Sequence, residues 1–155
     1  MSLIEKLISF LRKPKIVVLC ENKKQVEKMA SRILRSSFKV VAEVLFVDNL
    51  RGVDLPSKKY LILEFDEEFT RKLKEKTQAH ILTFGFQKGA DFQASDISQQ
   101  EGTNFKINHE GNIVPVWLKE SLSRKEICSV LAAVAIGTIF DLNLVEISQA
   151  LKEEK

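Results

Sequence analysis

The chain is constrained most between Lys15 and Val47, where the spacing of the apolar residues changes twice. KIVVLC is a short, unbroken apolar run rich in β-branched residues, as a strand buried on both faces requires. Val26, Met29, Ala30, Ile33 and Leu34 then fall at helical spacing, and SSFKVVAEVLFV returns to β-branched and aromatic residues. The sequence therefore predicts a β-α-β unit. Its first turn, ENKK, stands where a phosphate-binding loop would stand, yet the whole stretch VVLCENKKQVEKMASRIL holds no glycine.

The alternation continues. Asn49 to Ser57, with Gly52 and Pro56, reads as a loop, KKYLILEF as a buried strand, Glu67 to Lys76 as a charged surface helix, and AHILTFGF as a further strand. Such an order predicts an α/β fold, a mostly parallel sheet flanked by helices. From about residue 90 to 118 the pattern changes. ADFQASDISQQ, TNFKINHE and NIVPVWLK alternate apolar and polar positions around Gly102 and Gly111, which predicts a small antiparallel β-meander with H-E-G-N closing one hairpin. SRKEICSVLAAVAIGTIF then reads as a long apolar helix, in which Ala132, Ala133, Ala135 and Gly137 allow close packing, and Asp141 to Glu154 holds a last helix. No internal repeat breaks the order. With 155 residues, 45% of them apolar and ten of them Phe, one domain over 1–155 is expected.

The net charge of +3 comes from 24 basic and 21 acidic residues mixed along the chain, so no basic stripe suggests a nucleic-acid partner. Cys20 and Cys128 have no CxxC or Cys/His neighbour, which argues against a disulfide framework or structural zinc and fits a reducing cytoplasm. In residues 1–13, Leu3, Ile4, Leu7, Ile8 and Leu11 mark one face of an amphipathic helix. Packing on the body or on a partner is favoured over a membrane surface, and no window reaches the roughly 20 apolar residues of a membrane span.

Side chains with chemistry are sparse. His80 and His109 lack the Cys, His or carboxylate company of a metal site and read as structural or solvent-exposed. Asp66, Glu67 and Glu68 are explained by the dipole of the helix they begin, rather than by a cation. Asp91 and Asp96 could form a carboxylate pair. No G-x-S-x-G elbow is present, and Cys128 in its apolar helix is expected to be a buried, inert thiol. Lys23 and Lys24 open a helix and could attract an anion, against the reading of a solvated charged turn.

AHILTFGFQKGADFQASDIS, a hairpin ending in PVWL, and VLAAVAIGTIFDLNLVEISQAL together resemble the second half of the central, ATP-binding domain of Mur ligases, the amide ligases of peptidoglycan precursor synthesis. Within the family the likeness is nearest to the ligases that add D-alanyl-D-alanine. It rests on Thr83, Phe84, Gly85, Ala90, Asp91, Ala94, Asp96 and Ile97, then on Leu131, Ala132, Ala133, Ala135, Gly137, Ala150 and Leu151. YLILEFDEEFTRKL is similar to the family's N-x-D-D segment and its helix. The resemblance implies a P-loop-like topology and makes Asp91 and Asp96 meander positions.

It also implies a lost site. The family's G-x-x-G-K-[ST] loop falls on Glu21, Asn22, Lys23, Lys24, Gln25 and Val26, so its glycines become Glu21 and Lys24, its Lys becomes Gln25 and its hydroxyl becomes Val26. Assigning the Lys to Lys23 or Lys24 by a one-residue shift still leaves no glycine or hydroxyl. On the adenine side the family's Asn and His positions fall on Glu64, Lys125, Glu126 and Ser129. The span from Val40 to Leu55 is too short for the family's magnesium-binding glutamate and carbamylated lysine, and the family's UDP-binding and C-terminal domains are not expected in this chain. The expectation is a non-catalytic binding or scaffolding domain linked to peptidoglycan precursor synthesis, with no cofactor and no metal, and with a protein partner or a second copy of itself. Two alternatives stand beside it: part of a split ligase completed by another chain, or a rebuilt nucleotide-binding enzyme using Lys23, Lys24 and Asp66. ATP and Mg²⁺ belong only to these.

Overall fold

In the computed structural model, residues 2–4, 15–34, 44–53 and 59–152 are described. The parallel strands form where the β-branched runs predict them: β1 (Ile16–Leu19), β2 (Val44–Val47), β3 (Tyr60–Glu64) and β4 (His80–Gly85). Helix α1 (Lys23–Ile33) joins β1 to β2, and α2 (Glu67–Lys76) joins β3 to β4. β5 (Phe92–Ser98), β6 (Thr103–His109) and β7 (Asn112–Leu118) follow, then α3 (Arg124–Ile139) and α4 (Leu144–Lys152). Of the helix expected over 1–13, only residues 2–4 are described, with Leu3 and Ile4 exposed; the rest lies outside the described residues, as do 35–43 of the expected second strand.

All seven strands belong to one sheet, in the order β2-β1-β3-β4-β5-β6-β7. The first five are parallel, and β5-β6-β7 are antiparallel. The expected meander continues the parallel sheet rather than standing apart from it. The junction is unusual, because β4 and β5 are parallel neighbours joined by six residues, whereas a parallel pair ordinarily needs a long crossover. Here only Phe84 and Gly85 pair with Phe92 and Gln93, so the loop needs to reverse only locally. Asp91 pins it: its Oδ2 accepts from the Thr83 amide (2.8 Å) and hydroxyl (3.0 Å), and its own N–H donates to Thr83 Oγ1 (3.1 Å). Gly89 lies so close to the Phe65 ring that a Cβ would come within 2.5 Å of it.

The β6–β7 turn takes positive φ at both central residues, Glu110 (49°) and Gly111 (79°), the geometry that matches strand twist in two-residue hairpins. Pro115 sits within β7, which the sheet tolerates because β7 is its edge.

One face of the sheet carries the main core. Ile16, Val18, Ile62, Phe105, Ile107 and Leu118 pack there with Val26, Met29 and Ile33 of α1, Ile147 and Leu151 of α4, and a run of α3. α3 is buried nearly all round, from Ser129 to Gly137, as its apolar sequence requires. A Cβ on Gly137 would meet Ile33 Cγ2 at 2.9 Å and Ile147 Cδ1 at 3.0 Å, so this glycine sets how closely α1, α3 and α4 approach. α3 ends in a Schellman turn: Leu142 N–H donates to Gly137 O and Asp141 N–H to Thr138 O, with Asp141 at φ 67°. Arg32, in the last turn of α1, donates to Glu120 (3.1 Å) and to the Leu151 carbonyl (2.8 Å), tying α1 to the segment after β7 and to the end of α4. The opposite face buries Val17, Leu61 and Leu63 beneath Leu50, Val53 and Leu73.

Candidate functional site

Four parallel strands end on one rim of the sheet, and the residue after each of them lines a common cleft: Cys20 after β1, Asp48 after β2, Phe65 after β3 and Phe86 after β4. Its volume is about 880 Å³. The order β2-β1-β3-β4 makes the β1/β3 boundary a topological switch point, where connections leave in opposite directions and open α/β sheets bind ligands. Glu21, Asn22 and Val26 approach from the β1–α1 turn, and Arg124, Lys125, Glu126, Cys128 and Ser129 from the start of α3.

Three helix N-termini stand near this rim, and each is closed by a side chain of its own. Asn22 Oδ1 accepts from the Gln25 amide at 3.1 Å, and Asp66 Oδ1 from the Phe69 amide at 2.9 Å. Ser123 Oγ accepts from the Glu126 amide at 3.2 Å while Glu126 Oε1 accepts from the Ser123 amide at 3.1 Å, a complete capping box. The first-turn amides that a phosphate would need are partly occupied in advance. Between Leu19 and Lys23 the turn is only Cys20, Glu21 and Asn22, with no glycine to open the backbone.

The charges point the same way. Glu21, Asp48, Glu64 and Glu126 line the cleft against Arg124 and Lys125. Lys125 lies 3.6 Å from Glu21, a pair between strongly exposed groups, and Arg124 stacks on the Phe86 ring at 3.8 Å from its centroid. Val26, in the hydroxyl position of a phosphate loop, is buried in the core. A capped, glycine-free turn bearing a carboxylate, with carboxylates outnumbering cations and a buried valine at the loop's hydroxyl position, does not fit a Mg²⁺-nucleotide.

Of the residues singled out from sequence, Glu21, Asn22, Val26, Glu64, Lys125, Glu126 and Ser129 come together in the cleft. Lys23, Lys24 and Gln25 do not line it; Lys23 instead lies 3.8 Å from Glu27 on the outside of α1. Asp66 is the N-cap of α2 and, like Lys23 and Lys24, does not line the cleft. Glu67 and Glu68 occupy the first turn of α2, with Lys74 and Lys76 in its last, as the helix dipole favours. Asp91 and Asp96 are no carboxylate pair: Asp91 holds Thr83, and Asp96, at φ 53° where the β5–β6 register shifts, lies 3.2 Å from Lys106. His80 is exposed and stacks on Tyr60, while His109 stacks on Phe92 with Nδ1 2.8 Å from the Asp91 carbonyl. Among the described residues no three His, Cys, Asp or Glu side chains converge as a metal set, and no helix is long and apolar enough to cross a membrane.

Cys128 is a correction. It is only partly buried and faces the cleft, with Sγ 3.9 Å from Glu64 Oε1. Burial, then the Glu64 carboxylate, pushes its thiol up to about 11, and burial and Glu27 also raise Cys20. Both thiols are thus poor nucleophiles at neutral pH. Sequence reasoning missed Cys20, Asp48, Phe65, Phe86 and Arg124 as lining residues; their shared signal is a place immediately after a parallel strand or at the first position of α3.

No protein-family model matches the sequence. Solved structures do. MurF from Acinetobacter baumannii superposes with a TM-score of 0.66 over 92% of this chain and 46% of that one, at 15% identity. MurF from Thermotoga maritima, solved in complex with ADP, gives 0.63 over 95% and 52%, at 12% identity. The UDP-N-acetylmuramate:L-alanyl-γ-D-glutamyl-meso-diaminopimelate ligase of Neisseria meningitides gives 0.67 over all of this chain and 75% of that one, at 10% identity. The chain spans about half the length of the two MurF structures. The expected fold is therefore confirmed: this chain, a mixed seven-stranded sheet flanked by helices, has the fold of Mur ligases.

Proposed function

We propose that this protein is a non-catalytic Mur-ligase-like domain that acts by binding another protein, or a second copy of itself, in the setting of peptidoglycan precursor synthesis. The observation that carries the reading is the β1–α1 turn: three residues, no glycine, an exposed Glu21, and an Asn22 that caps the helix itself. A ligase of this fold needs that turn to hold the phosphates it transfers. A domain that keeps the sheet and the packed helices while closing the turn has its usefulness in contacts rather than chemistry. No cofactor or metal belongs to this reading, and the cytoplasm is its expected location.

Phosphate release from Mg-ATP by the purified chain tests the catalytic half of the statement. The expected rate equals that of buffer; release that is lost in Lys24→Ala contradicts it. Light scattering tests the partner. A dimer that dissociates on dilution assigns self-association, whereas a monomer throughout the micromolar range leaves a heterologous partner.

A further inference from the structure

We propose that the cleft at the strand ends is a receptor for a lysine or arginine side chain of the protein partner, a polarity opposite to that of a nucleotide site. The proposal rests on the partner-binding reading above and names the part of the surface used. Its walls are suited to such a group. Phe65, Phe69, Phe84 and Phe86 line it with apolar, aromatic surface, and Phe69 is 42% exposed. An alkyl stem is covered by such surface while its cation is attracted to the ring faces. The molecule already contains one example, Arg124 over Phe86 at 3.8 Å.

The carboxylates supply the rest. Glu126 is committed to its capping box and Glu21 to Lys125, whereas Glu64 and Asp48 have no ion pair among the described residues. Glu64 is exposed at the end of the interior strand β3, and among the described residues its side chain is bonded to the Cys128 thiol alone. An incoming ammonium or guanidinium gains a carboxylate that no internal cation has neutralised, beside aromatic walls, in a space of about 880 Å³ that takes a long side chain without rearrangement. An anion entering the same space meets capped helix ends and a surplus of carboxylates.

The test is an amide-shift NMR titration of the full chain with the blocked peptide Ac-Ala-Ala-Lys-Ala-Ala-NH2, its arginine and norleucine analogues, n-butylamine and Mg-ATP. The expected result is saturable shifts clustered at Glu21, Phe65, Phe86 and Cys128 with the Lys and Arg peptides, in the millimolar range. Norleucine should give none, and added salt should weaken the effect. Glu64→Gln, at an exposed position, should keep the native spectrum and weaken binding by about tenfold, or about 1.4 kcal/mol; Phe69→Ala should weaken it too. Absence of shifts with both basic peptides overturns this inference and leaves the non-catalytic reading standing. Equal affinity for n-butylamine overturns the assignment to a protein side chain in favour of a free amine. Shifts at the same amides with Mg-ATP overturn both this inference and the reading beneath it.

Discussion

The seam where α1, α3 and α4 meet and the cleft rim at the other end of α1 belong to the same helices but obey different rules. At the seam, residue type is narrowly set: Gly137 leaves less than a methyl group of room against Ile33 and Ile147, and α3 is buried through two full turns. At the rim, the demands that phosphate makes on backbone and side chain are absent, and Glu21, Asn22 and Ser123 meet only the ordinary needs of helix ends. Core packing holds the fold whether or not the rim does chemistry. The difference teaches that a retained architecture is evidence about the seam alone, and that function has to be read from the rim.

Substitutions along α3 sharpen the contrast, beginning at its buried centre. Leu131→Ala removes a fully buried side chain from the main core and should cost about 3 kcal/mol in urea unfolding. Gly137→Leu should cost about 2 kcal/mol through overpacking at the seam, unless α4 shifts outward, which its loss of hydrogen-exchange protection would reveal. Ser123→Ala, at the rim, should lose the capping box and about 1 kcal/mol. A smaller effect depends on pH. The native Cys128 thiol titrates at about 11 against 9.0 as its ordinary value, so the native state keeps a proton that the unfolded chain has lost between them. Its contribution to stability is complete below pH 9 and declines as pH rises towards 11; the stability difference between wild type and Cys128→Ala should therefore change across that window, and alkylation of Cys128 should accelerate there. Smallest of all, Lys125→Ala breaks only an exposed pair with Glu21 and should leave the unfolding midpoint unchanged. If the rim substitutions cost as much as those at the seam, the contrast fails.

Much of the fold was legible because its periodicities are strong. KIVVLC and YLILE read as buried strands and are strands, Phe69 and Leu73 mark a helix whose ends the sequence places correctly, and H-E-G-N announces its hairpin. The continuity of the meander with the parallel sheet was not legible, since it depends on Asp91 folding back onto Thr83 across a six-residue loop, a contact no spacing rule predicts. The site was half legible. Comparison with the phosphate-loop pattern identified Glu21, Asn22, Val26, Glu64 and the first turns of α3, because loop chemistry is local in sequence. It could not tell that Lys23 and Lys24 lie off the cleft, nor could the apolar pattern of α3 tell that Cys128 is only partly buried, because which side of a helix faces a cleft is decided by packing. Lys23 and Lys24 open α1 exposed and outside the lining of the cleft, and Cys128 stands where α3 emerges from the core.

The most direct test of the central claim, a retained scaffold around a turn that does not hold phosphate, is thermal unfolding of the full chain across a Mg-ATP titration. A ligand that binds the native state must stabilise it, by about 2.7 kcal/mol at a hundred times its dissociation constant. The account predicts a melting temperature independent of Mg-ATP. A saturable rise that disappears in Lys24→Ala would contradict it, because the β1–α1 turn would then be holding a phosphate after all.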